Sequence, residues 1–253
     1  GDFFANYRVA LNEDYATTSR QIYLRDFVST PVSLLNTRRI GGTANQVEVP
    51  EGVSLDRGQR DVPTDLLGAA KVTGAVGDVR YGVLGAVEDE ALWLGKSLLD
   101  TPIEVSGDGR DFGVARLIYE NVGDTRRSLG YMGTFVGGPV YDATVHSVDG
   151  HFTSGSGKLI ADAQIITSDR SEEQGYGGVF DLMYNVAPNL SHKFEIDYMD
   201  ENINFNDLGF LRRNDYGSFR YMLLYNKQRI SPQVSNFRMT LTAFQEYNTT
   251  KSQ

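Results

Sequence analysis

The sequence predicts an all-β fold, an antiparallel up-and-down β-barrel assembled from consecutive hairpins. Apolar and polar residues alternate with a period of two in many segments, as strands with one apolar face require. The chain has 27 glycines, 14 tyrosines and 13 phenylalanines but only 7 prolines, a composition rich in turn formers and in residues that suit pleated strands. Turn sequences separate the alternating segments. Together these observations predict strands that pair as neighbours along the chain.

The alternation is clearest over residues 179–186, where Phe180, Leu182, Tyr184 and Val186 share one side of the strand. It recurs over 193–198 and 218–226. Further strands are predicted at 67–76, 79–91, 111–122, 127–137, 141–152, 158–168 and 236–247, and the N-terminal segments 3–11 and 20–27 add two candidates. We therefore expect about 10–12 strands, most of them near the ~9–11 residues that a tilted membrane strand needs.

Tight-turn sequences mark the ends of the predicted strands. They are Gly77-Asp78, Gly123-Asp124, Gly155-Ser156-Gly157 and Pro188-Asn189. Gly155–Lys158 resembles the tail of a phosphate-binding loop, but the flanking residues do not fit that motif, so we predict a hairpin turn. Long loops are expected near 31–65 and 202–215, and residues 90–99 offer at most one short helix. The whole chain, 1–253, is predicted to be a single β-barrel domain.

Composition excludes several classes of protein. The formal charge of −9, from 33 acidic and 24 basic residues, argues against a nucleic-acid partner, because such proteins present a basic surface. The chain has no cysteine, so it has neither disulfides nor thiolate metal sites. No run of about 18 apolar residues is present, which excludes a helical membrane span. A membrane barrel stays possible, because its alternating strands keep the mean hydropathy low.

Alternation alone does not separate a membrane barrel from a soluble one. The polar sides of the strands carry charges of both signs, which suit either a wet lumen or the outside of a soluble sandwich. Tyrosines at or near strand ends favour the membrane, because aromatic girdles lie at both membrane interfaces. These tyrosines are Tyr119, Tyr131, Tyr176, Tyr184, Tyr198, Tyr216, Tyr225 and Tyr247.

Four segments in order, 37–42, 67–87, 112–135 and 208–221, resemble a family of uncharacterised bacterial outer-membrane proteins. Leu-Gly-Phe-Leu-Arg-Arg-Asn-Asp-Tyr at 208–216 is the most specific piece. In that family a β-barrel follows a periplasmic family-9-like carbohydrate-binding domain. The resemblance implies an outer-membrane location and a barrel fold, and it assigns no activity to particular residues. The carbohydrate-binding domain and an aromatic-terminated last strand are both absent, so we expect a barrel that is incomplete as given.

Candidate catalytic and metal sites are weak in the sequence. His151 lies close to Ser154 and Ser156, as a Ser-His hydrolase would require, but no third partner or nucleophile elbow is evident. The acids at 195, 197, 200 and 201 could form a glycosidase pair, although Lys193 on the same side suggests a charge-compensated stripe. The aspartates at 142, 149, 162 and 169 lack a calcium-loop spacing. We predict no catalytic residue, no metal site and no cofactor.

Three arginine pairs are the strongest candidates for a site, because they lie in or beside loops of an acidic chain. They are Arg38-Arg39, Arg126-Arg127 and Arg212-Arg213. Clustered in space, they could line a constriction for anionic solutes or contact lipopolysaccharide phosphates. The alternative is ordinary pairing with nearby acids such as Asp124 and Asp215.

The sequence therefore predicts a non-enzymatic barrel of the bacterial outer membrane. It would serve as a channel, or as the anchor and scaffold of a periplasmic or surface protein partner. Its other partners would be outer-membrane lipid and lipopolysaccharide. Two alternatives remain open: a soluble β-barrel or sandwich that binds glycans on its tyrosines, and an outer-membrane hydrolase that uses His151 and Ser154.

Overall fold

A computed structural model describes residues 32–43 and 46–250, and this part of the chain is almost entirely antiparallel β-structure. The strands are β1 Val32–Ser33, β2 Val53–Leu55, β3 Leu66–Val76, β4 Val79–Glu88, β5 Ala91–Ser97, β6 Pro102–Gly107, β7 Asp111–Val122, β8 Arg126–Gly137, β9 Ala143–Thr153, β10 Leu159–Arg170, β11 Glu173–Ala187, β12 Leu190–Met199, β13 Phe210–Leu211, β14 Tyr216–Ser231 and β15 Val234–Tyr247. Two short 3-10 helices span Thr37–Arg39 and Gln59–Asp61. In the described ranges no helix is long and apolar enough to span a membrane. The strands predicted at 3–11 and 20–27 lie outside the described residues.

Ten strands form one sheet in the order β15-β14-β12-β11-β10-β9-β8-β7-β4-β3. Every neighbouring pair is antiparallel, and each strand pairs with the strand that precedes it in this sheet along the chain. This confirms the prediction of an antiparallel all-β fold built from hairpins. In the described part of the chain β3 and β15 each pair on one side, so the sheet has two edges.

The two ends of the sheet differ in their connections. At one end, here called the turn end, the strands are joined by short turns at 77–78, 123–125, 154–158, 188–189 and 232–233. The opposite end, here called the loop end, carries the long connections 89–110 and 200–215, the short connections 138–142 and 171–172, and the segment that precedes β3. Gly155–Lys158 lies in the turn between β9 and β10, as predicted, and the Gly157 amide donates to the Ser154 carbonyl at 2.8 Å.

The loop end contains structure that the sequence did not predict. The strand expected over 79–91 stops at Glu88, and the short helix considered for 90–99 is wrong, since Ala91–Ser97 is strand β5. This strand forms a three-stranded sheet with β2 and β6. The predicted loop 202–215 contains β13, which pairs with β1. Isolated pairs of this length have weak sequence signals, because their stability comes from the elements on which they pack.

The two faces of the central strands differ from those of an ordinary soluble sheet, because large apolar side chains are exposed on one face and charged side chains are buried on the other. On the face here called the buried face, β7 to β14 bury both apolar and charged side chains. The other face, here called the exposed face, presents large apolar side chains, among them Leu129 (59% exposed), Ile165 (67%) and Phe180 (38%). Tyr216, predicted to be an interface tyrosine, is on the buried face at 5% exposure.

The apolar part of the interior lies toward the loop end. One cluster joins side chains from β4 to β14 with Leu34, Ile203, Phe205 and Leu208 of the loop segments, so these loops pack against the sheet. Gly175 on β11 makes this packing possible, because a Cβ there would collide with the backbone of Ile203. The loop 200–215 is therefore folded onto the buried face.

Candidate functional site: a charged belt on the buried face

Toward the turn end, the buried face changes from apolar to charged. We call this region the charged belt and define it by Arg116, Asp149, His151, Asp162, Gln164, Asp181, Lys193, Glu195, Asp197, Ser218 and Arg220. All of these side chains are buried except those of His151 and Lys193, which are partly exposed. Charged residues are rarely buried unless they are paired. Their partners therefore decide what the belt can do.

Strand register brings the belt together. His151 on β9 is the Cα partner of Asp162 on β10, which is the partner of Asp181 on β11. Asp181 is in turn the partner of Glu195 on β12, and Glu195 is the partner of Arg220 on β14. Side chains directly opposite each other on one face of a sheet are in contact range. Five consecutive strands thus place a titratable or charged group in one row.

Arg116 and Asp149 form the most buried ion pair of the belt. The guanidinium of Arg116 on β7 donates two hydrogen bonds to the carboxylate of Asp149 on β9, at 2.6 and 2.5 Å, and both side chains are at most 2% exposed. The pair spans the intervening strand β8 at Gly130. A Cβ on Gly130 would lie 2.5 Å from the Asp149 carboxylate and 2.8 Å from the Arg116 guanidinium. Glycine at this position therefore gives the two charges room to meet.

Glu195 joins two cations. Its carboxylate is 2.5 Å from the Lys193 ammonium and 2.8 Å from the Arg220 guanidinium. Beside it, the Ser218 hydroxyl donates to Asp197 at 3.1 Å. The two cations compensate the Glu195 carboxylate, as a buried charge requires.

A third arrangement in the belt joins a hydroxyl, an imidazole and a carboxylate. His151 Nδ1 lies 2.7 Å from the Asp162 carboxylate, and His151 Nε2 lies 2.9 Å from the Thr153 hydroxyl. An ionised carboxylate only accepts hydrogen bonds, so Nδ1 carries the proton of the neutral ring. Nε2 then accepts a hydrogen bond from the Thr153 hydroxyl. The three groups therefore form a directed chain from hydroxyl to base to acid. The other two histidines are hydrogen-bonded to tyrosines, His146 to Tyr131 and His192 to Tyr221.

A different set of polar contacts fastens the loop end. Arg110 donates two side-chain hydrogen bonds at 2.8 Å to Glu88, which also accepts from the Gly41 amide at 2.9 Å. Tyr141 donates to Asp207 at 2.8 Å and contacts Arg170. Burial raises the pKa of Tyr141, the Arg170 contact opposes that effect and Asp207 adds to it. These contacts attach the loops to the sheet.

The structure places the three predicted arginine pairs at opposite ends of the sheet. Arg38 and Arg39 lie in a 3-10 helix and Arg212 and Arg213 lie in the loop before β14, all at the loop end. Arg126 and Arg127 begin β8 at the turn end, where Arg126 forms an ion pair with Glu120 at 2.8 Å. Topology therefore separates Arg126 and Arg127 from the other four arginines.

The predicted acidic candidates also separate. The carboxylates of Glu195 and Asp197 belong to the belt, whereas Asp200 accepts hydrogen bonds from the amides of Tyr176 and Ile203, both at 2.7 Å, and organises the loop. Among the described residues no group of three His, Asp or Glu side chains has the geometry to hold a metal ion. In this part of the chain Asp142, Asp149, Asp162 and Asp169 therefore do not converge on a cation site.

Two features of the site were missed from the sequence. Alternation places Arg116, Asp162, Glu195 and Arg220 on polar strand sides, but it does not indicate which of them pair across the sheet. Thr153 carries no signal of its own, although the spacing His-x-Thr within one strand predicts that both side chains share a face.

Comparison with family models, curated proteins and solved structures finds no match to this chain.

Proposed function

We propose that this chain is a transmembrane β-barrel domain of the bacterial outer membrane, serving there as an anchor or scaffold for a periplasmic or surface partner. The observation that carries the proposal is the inverted polarity of the ten-stranded sheet. Its buried face contains paired charges such as Arg116 and Asp149, and its exposed face presents side chains such as Ile165 and Leu129. In water this arrangement is unfavourable on both faces, whereas in lipid the apolar face is solvated.

Strand length supports the same proposal. β7, β8 and β10 have 12 residues each, about twice the usual strand length in globular proteins. At ~3.3 Å per residue and a tilt of ~40°, such strands would cross about 30 Å, close to the thickness of the hydrocarbon core. Short turns at one end and longer loops at the other are also the pattern of outer-membrane barrels. Barrel closure is part of this proposal.

The filled interior favours an anchor over an open channel. Ile203, Phe205 and Leu208 of the loop segment are each at most 2% exposed and pack on the buried face at the loop end. A water-filled pore needs a polar lumen open at both ends. We expect the chain in planar bilayers to give no steady open-pore conductance. Large, stable conductance steps would instead support the channel form of the hypothesis.

Neighbouring residues on β10 offer a direct test of membrane placement. The chain has no cysteine, so single nitroxide labels can be attached after Ile165→Cys, on the exposed face, and Gln164→Cys, on the buried face. We expect dissolved oxygen to relax the label at 165 strongly and a water-soluble nickel chelate to leave it unaffected. Ser156→Cys in the β9–β10 turn is the water-exposed control. The proposal fails if the nickel chelate relaxes the label at 165 as strongly as the label at 156.

A second measurement separates this proposal from the soluble glycan binder. The wild-type chain should need detergent or lipid to stay monodisperse, because exposed apolar patches of this extent drive association in water. A monomer that stays soluble without detergent and binds a specific glycan would overturn the membrane proposal.

A further inference from the structure

We infer that Thr153, His151 and Asp162 form a nucleophilic acyl-transfer site that hydrolyses carboxylic esters entering from the turn end of the sheet. This inference goes beyond the anchor function and does not depend on it. It rests on geometry: a hydroxyl within hydrogen-bond reach of a base, with the base oriented by a third group, is the arrangement that activates a weak nucleophile.

The distances match that arrangement at both contacts. The Thr153 oxygen is 2.9 Å from His151 Nε2, and Asp162 is 2.7 Å from His151 Nδ1. The Asp162 side chain is 5% exposed and that of His151 is 13% exposed, so the acid is shielded from water while the base remains partly accessible. A buried carboxylate in this position fixes the tautomer and the orientation of the imidazole.

The fold explains why these three side chains meet. His151 and Thr153 are two residues apart on β9 and share a face, and Asp162 is the direct cross-strand partner of His151 on β10. Thr153 is the last residue of β9, so its hydroxyl lies beside the open turn end and not beneath the apolar loops. Arg126 is the Cα partner of Thr153 on β8, and its guanidinium is held by Glu120 at 2.8 Å.

The reaction is a two-step hydrolysis. Thr153 Oγ1 attacks the ester carbonyl carbon while its proton passes to His151 Nε2, and Asp162 stabilises the imidazolium. The bond from the carbonyl carbon to the alcohol oxygen breaks, and the alcohol leaves with that proton, which gives an acyl ester on Thr153. Water then attacks this ester and gives a proton to His151. The acid is released as the proton returns to Thr153, so ester and water become acid and alcohol.

The test is hydrolysis of p-nitrophenyl butyrate by the full chain in detergent micelles. Thr153→Val keeps the shape of the side chain but removes the hydroxyl, and we expect it to lower the rate by roughly 100-fold or more, the scale of a lost nucleophile and base pair. Thr153→Ser restores a hydroxyl and should keep activity. His151→Gln should match Thr153→Val. A packing role for the Thr153 methyl group would give the opposite order, with the Val variant active and the Ser variant impaired.

Two matched controls come from the same chain. His192→Gln removes a histidine that is bonded to Tyr221 outside the belt, and Ser154→Ala removes the hydroxyl next to Thr153; both should keep the wild-type rate. A fluorophosphonate probe should label Thr153 itself, as located within its peptide by fragmentation mass spectrometry. The inference is overturned if wild type shows no hydrolysis above the micelle blank, if Thr153→Val keeps the wild-type rate, or if the probe modifies Ser154 instead.

Discussion

The buried face of the sheet has two halves that are stabilised in different ways. Toward the loop end, Ile203, Phe205 and Leu208 pack with apolar strand residues in one cluster. Toward the turn end, the same strands bury Arg116 against Asp149 and Glu195 against Lys193 and Arg220. The apolar half depends on filled volume, which any side chain of the right shape supplies. The charged half depends on partners, because an unpaired buried charge is strongly unfavourable.

This difference shows how one face of a sheet can hold both an apolar packed region and a region of buried, paired polar groups. Apolar packing at the loop end holds the loop segments against the strands, while the belt keeps polar groups within hydrogen-bond distance in a buried environment. Electrostatic interactions are stronger in such an environment than in water. The two halves should therefore respond to different substitutions.

The largest effect is expected from breaking the most buried ion pair. Arg116→Met removes the guanidinium and leaves the carboxylate of Asp149 buried without it, so we expect the free energy of unfolding to fall by about 3–5 kcal/mol. The measurement is urea unfolding in detergent, followed by far-UV circular dichroism. The double variant Arg116→Met/Asp149→Leu should regain most of that loss, because apolar replacements of a buried pair are close to neutral.

The control for that experiment is an ion pair in water. Lys96 and Asp100 are 2.8 Å apart with side chains 47% and 80% exposed, and Lys96→Met should change the free energy of unfolding by less than about 1 kcal/mol. If Arg116→Met lowers the free energy of unfolding no more than Lys96→Met does, the charged half does not depend on the pairing of its charges. The comparison between the two halves is then wrong.

The apolar half should show the opposite dependence, on volume instead of pairing. Ile203→Ala leaves a cavity against Gly175 and the strands, and we expect a loss of about 2–5 kcal/mol in unfolding free energy. Ile203→Val removes one methylene group and should cost about 0.5–1.5 kcal/mol. Equal losses of unfolding free energy for the two variants would indicate that packing does not hold the loop. The hydrogen bonds that Asp200 accepts from the amides of Tyr176 and Ile203 would then hold it.

The smallest effect is expected at Asp215, a charged group at the exposed loop end. Its carboxylate accepts hydrogen bonds from the Thr250 amide at 2.7 Å and the Thr249 hydroxyl at 2.8 Å. These bonds, the Thr250 amide first, lower the pKa of Asp215 from 3.8 to about 2. The contact should therefore be complete above pH 3.8 and be lost as the pH falls through about 2.

The measurement is an NMR titration of the Asp215 carboxyl in detergent micelles, with Asp215→Asn to assign the signal. Titration at the ordinary value near 3.8 would mean that Thr249 and Thr250, which follow β15, are not bonded to Asp215 in solution. Because the group is exposed, we expect no measurable change in global unfolding.

The strands of the main sheet could be predicted from the sequence because each carries its own signal. Alternation at 180–186 and glycine turns such as Gly77-Asp78 are local features, and the observed strands match the predicted segments closely. The turn between β10 and β11 could not be predicted in this way. Ser171 and Glu172 both adopt positive φ, 55° and 69°, a conformation that usually requires glycine or asparagine, so tertiary pairing of the strands imposes it.

The candidate site was predictable only in part. The polar sides of the strands follow from period two, so alternation places Arg116, Asp162, Glu195 and Arg220 on polar sides without grouping the whole belt. The pairing of Arg116 with Asp149 depends on a glycine in a third strand, Gly130, and the approach of His151 to Asp162 depends on the register of β9 and β10. A shift of one residue in the pairing would turn every side chain of a strand to the other face. No pattern within a single strand predicts which residue of the neighbouring strand lies opposite.

The sequence by itself determined the all-β class, the hairpin order and the side of each strand that would be polar, because these follow from short-range periodicity and turn chemistry. Tertiary structure decided that the charged side is the buried one, that the loop 200–215 fills the loop end, and that hydroxyl, imidazole and carboxylate meet at Thr153, His151 and Asp162. These outcomes depend on contacts between residues distant in sequence, whose geometry is set only when the loops pack on the sheet and its register is complete.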